Sequence, residues 1–238
     1  MRVAVIGASG GIGRAMVEQL AQRADVEQIY ALSRSGAAFD SEKVHEMSLD
    51  LESEDSIRAA ATEISEISAP DQVILTAGIL SEGDSLKPEK SLRQQERDAF
   101  ERVFAINTIG PALVAKHFIP ILPRKSRAVF AALSARVGSI SDNRIGGWHA
   151  YRASKAALNM LIRNYAIEQA RRNDQFIAVS LHPGTVDTAL SKPFQSGVPE
   201  KQLFSPNQSA AYLLSVIDAL TPDQSGKAFD WAGKEIPA

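Results

Sequence analysis

The stretch VAVIGASGGIGRAM, residues 3–16, decides the fold. An apolar, β-branched run hands over to a helical pattern through Gly7, Gly11 and Gly13. Glycines at such a junction let the chain turn tightly and let a pyrophosphate approach the backbone amides at the helix N-terminus. A tight turn alone would also need small residues, so the placement directly after a buried first strand is what points to a nucleotide. The spacing is G-x-x-x-G-x-G, and no Gly-Lys-Ser/Thr follows, which argues against a nucleoside triphosphatase.

The same alternation continues along the chain. Runs apolar on both faces occur at 2–6, 27–32, 71–76, 127–133 and 175–181, as buried parallel strands require. Amphipathic segments at 12–22, 53–65, 94–118, 151–171 and 207–220 separate them, the third with a disturbance expected at Pro111. Strand and helix in repeated alternation imply right-handed crossovers and a single-domain, Rossmann-type α/β fold: a doubly wound parallel sheet with helices on both faces. One long connection, 191–206, holds three prolines and a glycine and reads as part of a lid over residues 189–206.

A chain of 238 residues can bury a substantial single core. Lys plus Arg at 26 against Asp plus Glu at 28 leave a net charge of −2 and no basic block to follow a phosphate backbone, so nucleic acid is not an expected partner. The absence of cysteine removes thiolate nucleophiles, disulfides and cysteine-ligated zinc. His45, His117 and His182 lie on different elements without ligand spacing, so no metal is expected. A strand beginning at Arg2 leaves no room for a leader peptide, and no apolar stretch approaches the roughly 20 residues that span a bilayer. A soluble cytoplasmic protein is the expectation.

HAYRASKAALNML, from His149, sets Tyr151 one helical turn before Lys155, on one helix face. Adding hydride to a carbonyl requires a proton for the developing alkoxide, and a phenol can supply it. Burial raises a phenol's pKa above its ordinary value of about 10, so a neighbouring ammonium is needed to counter that. The spacing alone fits surface decoration as well as chemistry; in the chemical reading Tyr151 is the general acid/base and Lys155 the group that lowers its pKa.

At these residues the chain resembles the short-chain dehydrogenase/reductase family over essentially its whole length. Gly7, Gly11 and Gly13 match its cofactor glycines. Asp50 in SLDLES matches its adenine-contacting aspartate, and LTAG at 75–78 matches its Asn-Asn-Ala-Gly in Ala77 and Gly78. Asn107 matches its helix asparagine, Tyr151 and Lys155 its Tyr-x-x-x-Lys, and HPGTVDT at 182–188 its Pro-Gly-x-x-x-Thr. The wording RVGSI, YRASKAALN and GKEIP most resembles the C-factor and Sniffer-like carbonyl reductases.

The resemblance implies that Lys155 also holds the nicotinamide ribose, and that Asn107 holds a water linking Lys155 to solvent. It implies that Val186 and Thr188 touch the carboxamide. The implied cofactor set is Gly7, Ser9, Gly11, Ile12, Gly13, Ser33, Arg34, Asp50, Leu51, Ala77, Gly78, Tyr151, Lys155, Pro183, Gly184, Val186 and Thr188. NAD enzymes carry an acidic residue at the end of the second strand, where Ser33 stands, whereas a 2′-phosphate needs positive charge and no nearby carboxylate. Arg34 follows and can clamp that phosphate, with Ser35 or Ser9 adding hydroxyl contacts, so NADP(H) is expected over NAD(H).

The chain also departs from the family. The serine that orients the substrate carbonyl falls, counting back from Gly138, on Ala135. Ser134 can replace it only if the strand end is bulged or twisted, and Ser139 only if the loop folds back; Ser134 is the favoured substitute. Ile6, Leu75 and Thr76 replace further family residues that brace the cofactor loops. Trp148 and His149 either line a substrate pocket or pack on the sheet, and Phe194 and Phe204 either close a lid or meet another subunit. The leading function is an NADP(H)-dependent reductase of a small carbonyl or alcohol substrate, assembled as a homodimer or homotetramer. The alternative is a cofactor-binding signalling or interaction protein of the C-factor type. A sugar-nucleotide epimerase is disfavoured by chain length and glycine spacing.

Overall fold

The computed structural model describes residues 1–197, 199 and 202–238. Its centre is an eight-stranded sheet in the order β10-β9-β6-β5-β4-β1-β2-β3. The strands are β1 (Arg2–Ile6), β2 (Gln28–Ser33), β3 (Val44–Ser48), β4 (Gln72–Leu75), β5 (Ala128–Leu133), β6 (Phe176–His182), β9 (Ala228–Asp230) and β10 (Glu235–Ile236). All pair in parallel except β10, which runs antiparallel to β9. A separate pair, β7 (Thr185–Val186) and β8 (Leu203–Phe204), is also parallel.

Alternate strand residues feed two apolar layers, as a pleated strand requires. Ala4 and Ile6 of β1 join Ile57 and Ile64 of α2 (Glu54–Ile67), Val114 and Phe118 of α4 (Gly110–Phe118), and Leu158 and Ile162 of α5 (His149–Gln169). Val3 and Val5 face the other way, onto Met16 and Leu20 of α1 (Gly11–Ala21) and Leu213 and Ile217 of α6 (Pro206–Ala219). The sheet is thereby covered on both faces in one domain, the fold expected from its buried runs.

The chain winds outward in opposite senses on the two sides of β1, because β1 pairs with β2 on one side and β4 on the other. Connections leaving the carboxyl ends of β1 and β4 therefore diverge, and a crevice opens between them. Gly7 turns the chain there with φ +95. A Cβ on Gly7 would lie 2.6 Å from Thr76 Oγ1 and 2.8 Å from Ala77 N, so only glycine lets the two connections approach this closely.

The structure differs from the sequence expectation in several places, and β7 to β10 lie outside the apolar runs. β3 lies outside the apolar runs because it is an edge strand, with His45, Glu46 and Ser48 exposed. The disturbance in the third helical segment is centred on Asn107, not Pro111: α3 (Arg97–Phe104) passes through a wide turn at Ala105–Ile109 before α4 begins. Gly110 N–H reaches back to Ala105 O, so the hydrogen-bond ladder has already changed register where Pro111 lacks a donor. The continuous run Arg97–Ile121 spans 25 residues, and its window of mean hydropathy 1.2 makes it long and apolar enough to cross a membrane, contrary to the expectation drawn from uninterrupted apolar runs. Half of that window, 50%, is buried inside the protein, where it serves as a core helix.

The expected lid is only partly irregular. It contains a turn of helix at Lys192–Phe194, and β8 returns to pair with β7. Val198, Glu200 and Lys201, within the expected lid, lie outside the described residues. Ser205 then caps α6, accepting from Gln208 N while Gln208 Oε1 accepts from Ser205 N.

Gly7→Ala is expected to lower the free energy of unfolding by roughly 3 kcal/mol, combining left-handed strain with overpacking. Gly36→Ala, at φ +71 with open space around it, is expected to cost only the strain, about 1 kcal/mol. Urea denaturation of the two variants checks this; equal losses would contradict the close approach at Gly7.

Candidate active site

The glycine turn forms one wall of the crevice. Gly7 N and Ala8 N both donate to Leu32 O, at 2.8 and 3.0 Å, which ties the turn to the end of β2. Thr76, one of the departures from the family pattern, braces it from β4: its hydroxyl lies 3.0 Å from Ile6 O and 3.2 Å from Gly7 O. A Cβ on Gly13 would come within 2.3 Å of Gly7 O. Helix α1 begins behind Gly10 with no side-chain cap and no acidic residue in its first turn, leaving N–H groups and a positive dipole end for an anion. Ser9 is exposed there and Ile12 half-buried.

At the end of β2, Ser33 is buried, and its Oγ has no hydrogen-bond partner among the described residues. An orphaned buried hydroxyl beside an open helix N-terminus is what a ribose hydroxyl or phosphate would satisfy, so these residues fit a dinucleotide. Arg34 is exposed, and its guanidinium lies 4.0 Å from Glu52, a carboxylate the sequence reading did not anticipate there. Glu52 is shared with Arg102, which grips Glu82 through two further bonds of 2.8 Å, so its charge is divided between two guanidiniums. Asp50 Oδ1 accepts from Glu52 N at 3.0 Å, and Leu51 beside it is buried.

The other wall is α5. Tyr151 and Lys155 are both buried, and Lys155 Nζ lies 5.8 Å from the Tyr151 ring centroid. Lys155 Nζ donates to Leu133 O at 2.9 Å. A Cβ on Gly78 would lie 3.3 Å from that ammonium and 3.2 Å from Asn107 Oδ1, which places the loop after β4, the wide turn and α5 around one point. Burial pushes the Tyr151 phenol up to about 12 and the Lys155 ammonium down to about 8. Desolvation sets the direction of both shifts, and the one hydrogen bond of the ammonium goes to a backbone carbonyl.

Asn107 is fully buried in the wide turn. Its Oδ1 accepts from Ile79 N at 2.9 Å, and its Nδ2 donates to Ile79 O at 2.8 Å and to Ser154 Oγ at 3.2 Å. The side-chain amide is therefore a clamp between the β4 loop and α5.

Of the two candidate replacements for the family serine, Ser134 has its hydroxyl proton committed. Ser134 continues β5, with its N–H on Leu181 O, and its hydroxyl donates to Asn159 Oδ1 at 2.8 Å, two helical turns beyond Tyr151. Ser139 Oγ accepts from Asp142 N at 3.1 Å. Ala135 is extended at φ −146, ψ 146, so no bulge turns Ser134 into its place.

Beyond β6, Pro183 O accepts from Ser209 Oγ at 2.9 Å, and Gly184 turns at φ +78 under the rings of Phe204 and Trp231. Val186 is buried, and Thr188 lies over the glycine turn: a Cβ on Gly11 would meet its Cγ2 at 2.9 Å. Trp148 stands edge-on to Tyr151, with centroids 6.2 Å apart, and 5.2 Å from Phe194, so Phe194 packs within this chain. Phe204 likewise packs on Tyr212 and Trp231. Sequence reasoning missed Glu89, whose buried carboxylate meets the start of α5; no local pattern signals a contact 61 residues away.

A family model described as short chain dehydrogenase matches residues 1–198. The chain belongs to the short-chain dehydrogenase family. This dehydrogenase is 34% identical over 229 residues to the 1-hydroxy-2-glutathionyl-2-methyl-3-butene dehydrogenase of Rhodococcus sp. (strain AD45), covering 94% of each chain. It is 40% identical over 136 residues to the C-signal of Myxococcus xanthus, covering 57% of this chain and 76% of that one. Among solved structures, the NADPH-bound carbonyl reductase from chicken fatty liver superposes with a TM-score of 0.84 at 26% identity, covering 100% of this chain and 98% of that one. The dehydrogenase is an oxidoreductase, as its family, its curated relative and this neighbour have in common.

His182, at the end of β6, introduces a pH dependence. Its Nδ1 is buried without a partner among the described residues. Burial pushes the imidazole down to about 4, with Arg136 adding to the shift and Asp230 opposing it. Below the ordinary value of 6.5 the unfolded chain binds a proton that the folded one refuses, so stability falls as pH drops from about 6.5 to about 4. The dehydrogenase is expected to lose about 3 kcal/mol more than His182→Asn over that window. Urea denaturation at pH 7 and pH 4 measures this, and parallel losses in the two proteins would contradict the burial of a neutral imidazole.

Proposed function

We propose that this dehydrogenase reduces a small carbonyl compound with NADPH, with Tyr151 as proton donor. The carrying observation is the convergence of a buried phenol and a buried ammonium, one helical turn apart, on the crevice bounded by the glycine turn. The cofactor, when bound, supplies the hydride. Gly7, Ser9, Gly11, Ile12 and Gly13 would hold its pyrophosphate side, Asp50, Leu51, Ala77 and Gly78 its adenine side, and Pro183, Gly184, Val186 and Thr188 its nicotinamide side. Ser33 and Arg34 would meet the adenosine ribose and a 2′-phosphate. The solved carbonyl reductase neighbour, described as NADPH-bound, supports that choice. Glu52 opposes it less than an isolated carboxylate would, because Arg102 also binds it.

Tyr151 Oη gives its proton to the oxygen of the carbonyl as charge develops there. A phenol pushed up to about 12 is fully protonated at neutral pH, the form this direction of reaction needs. Lys155, down to about 8, remains mostly an ammonium at pH 7, and its charge stabilises the phenolate that the transfer leaves behind. Asn107 keeps the β4 loop and α5 in register. With Ser134 bound to Asn159, the carbonyl is oriented chiefly by Tyr151 itself.

A second reading has its own support: Ala135 removes a hydroxyl the family uses, and the chain is 40% identical over part of its length to C-signal, so a cofactor-binding signalling protein with weak catalysis is the alternative. Assembly of two or four copies belongs to the proposal too, in keeping with Met160 and Ile167 exposed on α5 and Ile109 ahead of α4. So does action in the cytoplasm.

Tyr151→Phe is expected to lower NADPH-dependent reduction of a panel of aldehydes, ketones and quinones by about 100-fold or more, with NADPH still quenching protein fluorescence. Ser134→Ala is expected to cost less than about tenfold. Retained turnover in Tyr151→Phe would end the catalytic assignment and favour the signalling reading. Arg34→Ala is expected to raise KM for NADPH by about tenfold or more, the worth of one charge-assisted hydrogen bond, and leave KM for NADH nearly unchanged. The rate of reduction is expected to fall as pH rises through about 8, where Lys155 loses its charge; a flat profile from pH 7 to pH 9 would contradict that role.

A further inference from the structure

We propose that Glu89 is a positioning residue that holds Trp148 in a strained backbone conformation, so that its indole forms, with Phe194, the wall against which a bulky apolar or aromatic carbonyl substrate lies beside Tyr151. The proposal rests on the reading of this crevice as a reductase site.

The chain enters α5 through three successive left-handed residues, Gly146 at φ +68, Gly147 at +67 and Trp148 at +50. Glycine adopts that conformation freely, but a bulky side chain does so at a cost, and Trp148 is the one non-glycine residue with positive φ among the described residues. Such strain persists only where the surroundings over-determine it. Glu89 supplies the determination twice. Its carbonyl accepts from Trp148 N at 2.5 Å, and its carboxylate accepts from Ala150 N at 3.2 and 3.3 Å.

The carboxylate is also the acidic group that α5 lacks locally. The helix has no acidic residue in its first turn and no bond from the side chain of its own capping residue, yet its N-terminal dipole favours an anion. Glu89 is only 4% exposed, so its charge acts there with little screening by water. Its loop is fixed by Leu86, which packs with Val103 and Ala150. From the other side, Arg152 donates to Gly147 O at 3.0 Å and to Val137 O at 3.3 Å.

The consequence is the placement of the indole. Trp148 meets the Tyr151 ring at an interplanar angle of 76° and the Phe194 ring at 60°, an arrangement that a relaxed, right-handed residue 148 could not keep while α5 starts where it does. If Glu89 were only a helix cap, its loss would lower stability without moving the indole.

The chain has 2 tryptophans, so a Trp231→Phe background reports Trp148 emission alone. In that background Glu89→Ala is expected to shift the emission to the red, while Glu89→Gln, whose amide oxygen still accepts from Ala150, keeps it. With native Trp231, Glu89→Ala is expected to raise KM for 4-nitrobenzaldehyde by about tenfold, the worth of one aromatic pair, and KM for propanal and for NADPH by less than about twofold. Trp148→Gly relieves the strain, so the drop in Tm caused by Glu89→Ala is expected to be smaller in that background; should Glu89→Ala alone not fold, the double variant is expected to. Unchanged emission, an equal rise in KM for all three compounds, or an equal Tm drop in both backgrounds would each overturn the role of Glu89. A wild-type protein that oxidises no NADPH with any carbonyl would instead end the reductase reading, while the emission and Tm comparisons would still decide what Glu89 does.

Discussion

Everything at the crevice depends on burying an ammonium and a phenol together between α5 and the end of β5. Taking Lys155 out of water lowers its pKa from 10.5 to about 8, which corresponds to about 3 kcal/mol that other parts of the fold must offset. One hydrogen bond, from Nζ to Leu133 O, meets part of that cost. The rest is carried by the packing of α5, whose Leu158 and Ile162 enter the same apolar layer as Phe118 and Phe130. Gly138 belongs to that arrangement, because a Cβ there would lie 2.8 Å from Lys155 Cβ and hold the helix off the loop. The site is thus sustained by a core large enough to tolerate two unfavourably buried groups.

The second requirement is that three connections meet at one edge. The reversal of winding at β1 opens the crevice, and the wide turn in the helix after β4 carries Asn107 to its floor. There its amide joins the β4 loop to α5 through Ile79 and Ser154. A regular helix through 105–109 would rotate Asn107 off this line, so the irregularity is what places the residue. The left-handed entry into α5 has the same character. Both irregularities cost regular backbone hydrogen bonding or conformation, and both lie at the candidate site.

The departures from the family pattern divide by their structural effect. Thr76 replaces an asparagine and still braces the glycine turn through its hydroxyl, so the cofactor side is maintained by different chemistry. Ala135 has no such compensation from Ser134, whose hydroxyl proton is held by Asn159. The demand on Tyr151 and on the shape of the pocket around Trp148 is correspondingly greater.

The amino-acid sequence by itself determined the buried strands, the glycine turn at Gly7 and the one-turn spacing of Tyr151 and Lys155. Each is a local pattern, set by the strand period of two, the helix period of 3.6, or the absence of a side chain at a turn. It did not disclose β3, whose edge position leaves it polar, nor the wide turn at Asn107, which the proline at 111 misplaced by a few residues. Only the tertiary structure decided that Ser134 belongs to Asn159, that Arg34 meets Glu52, and that Glu89 closes on the start of α5 from 61 residues away. Those partners are chosen by which side chains the packed sheet brings within hydrogen-bond reach, and desolvation, which sets the state of Tyr151 and Lys155, exists only once that packing has excluded water.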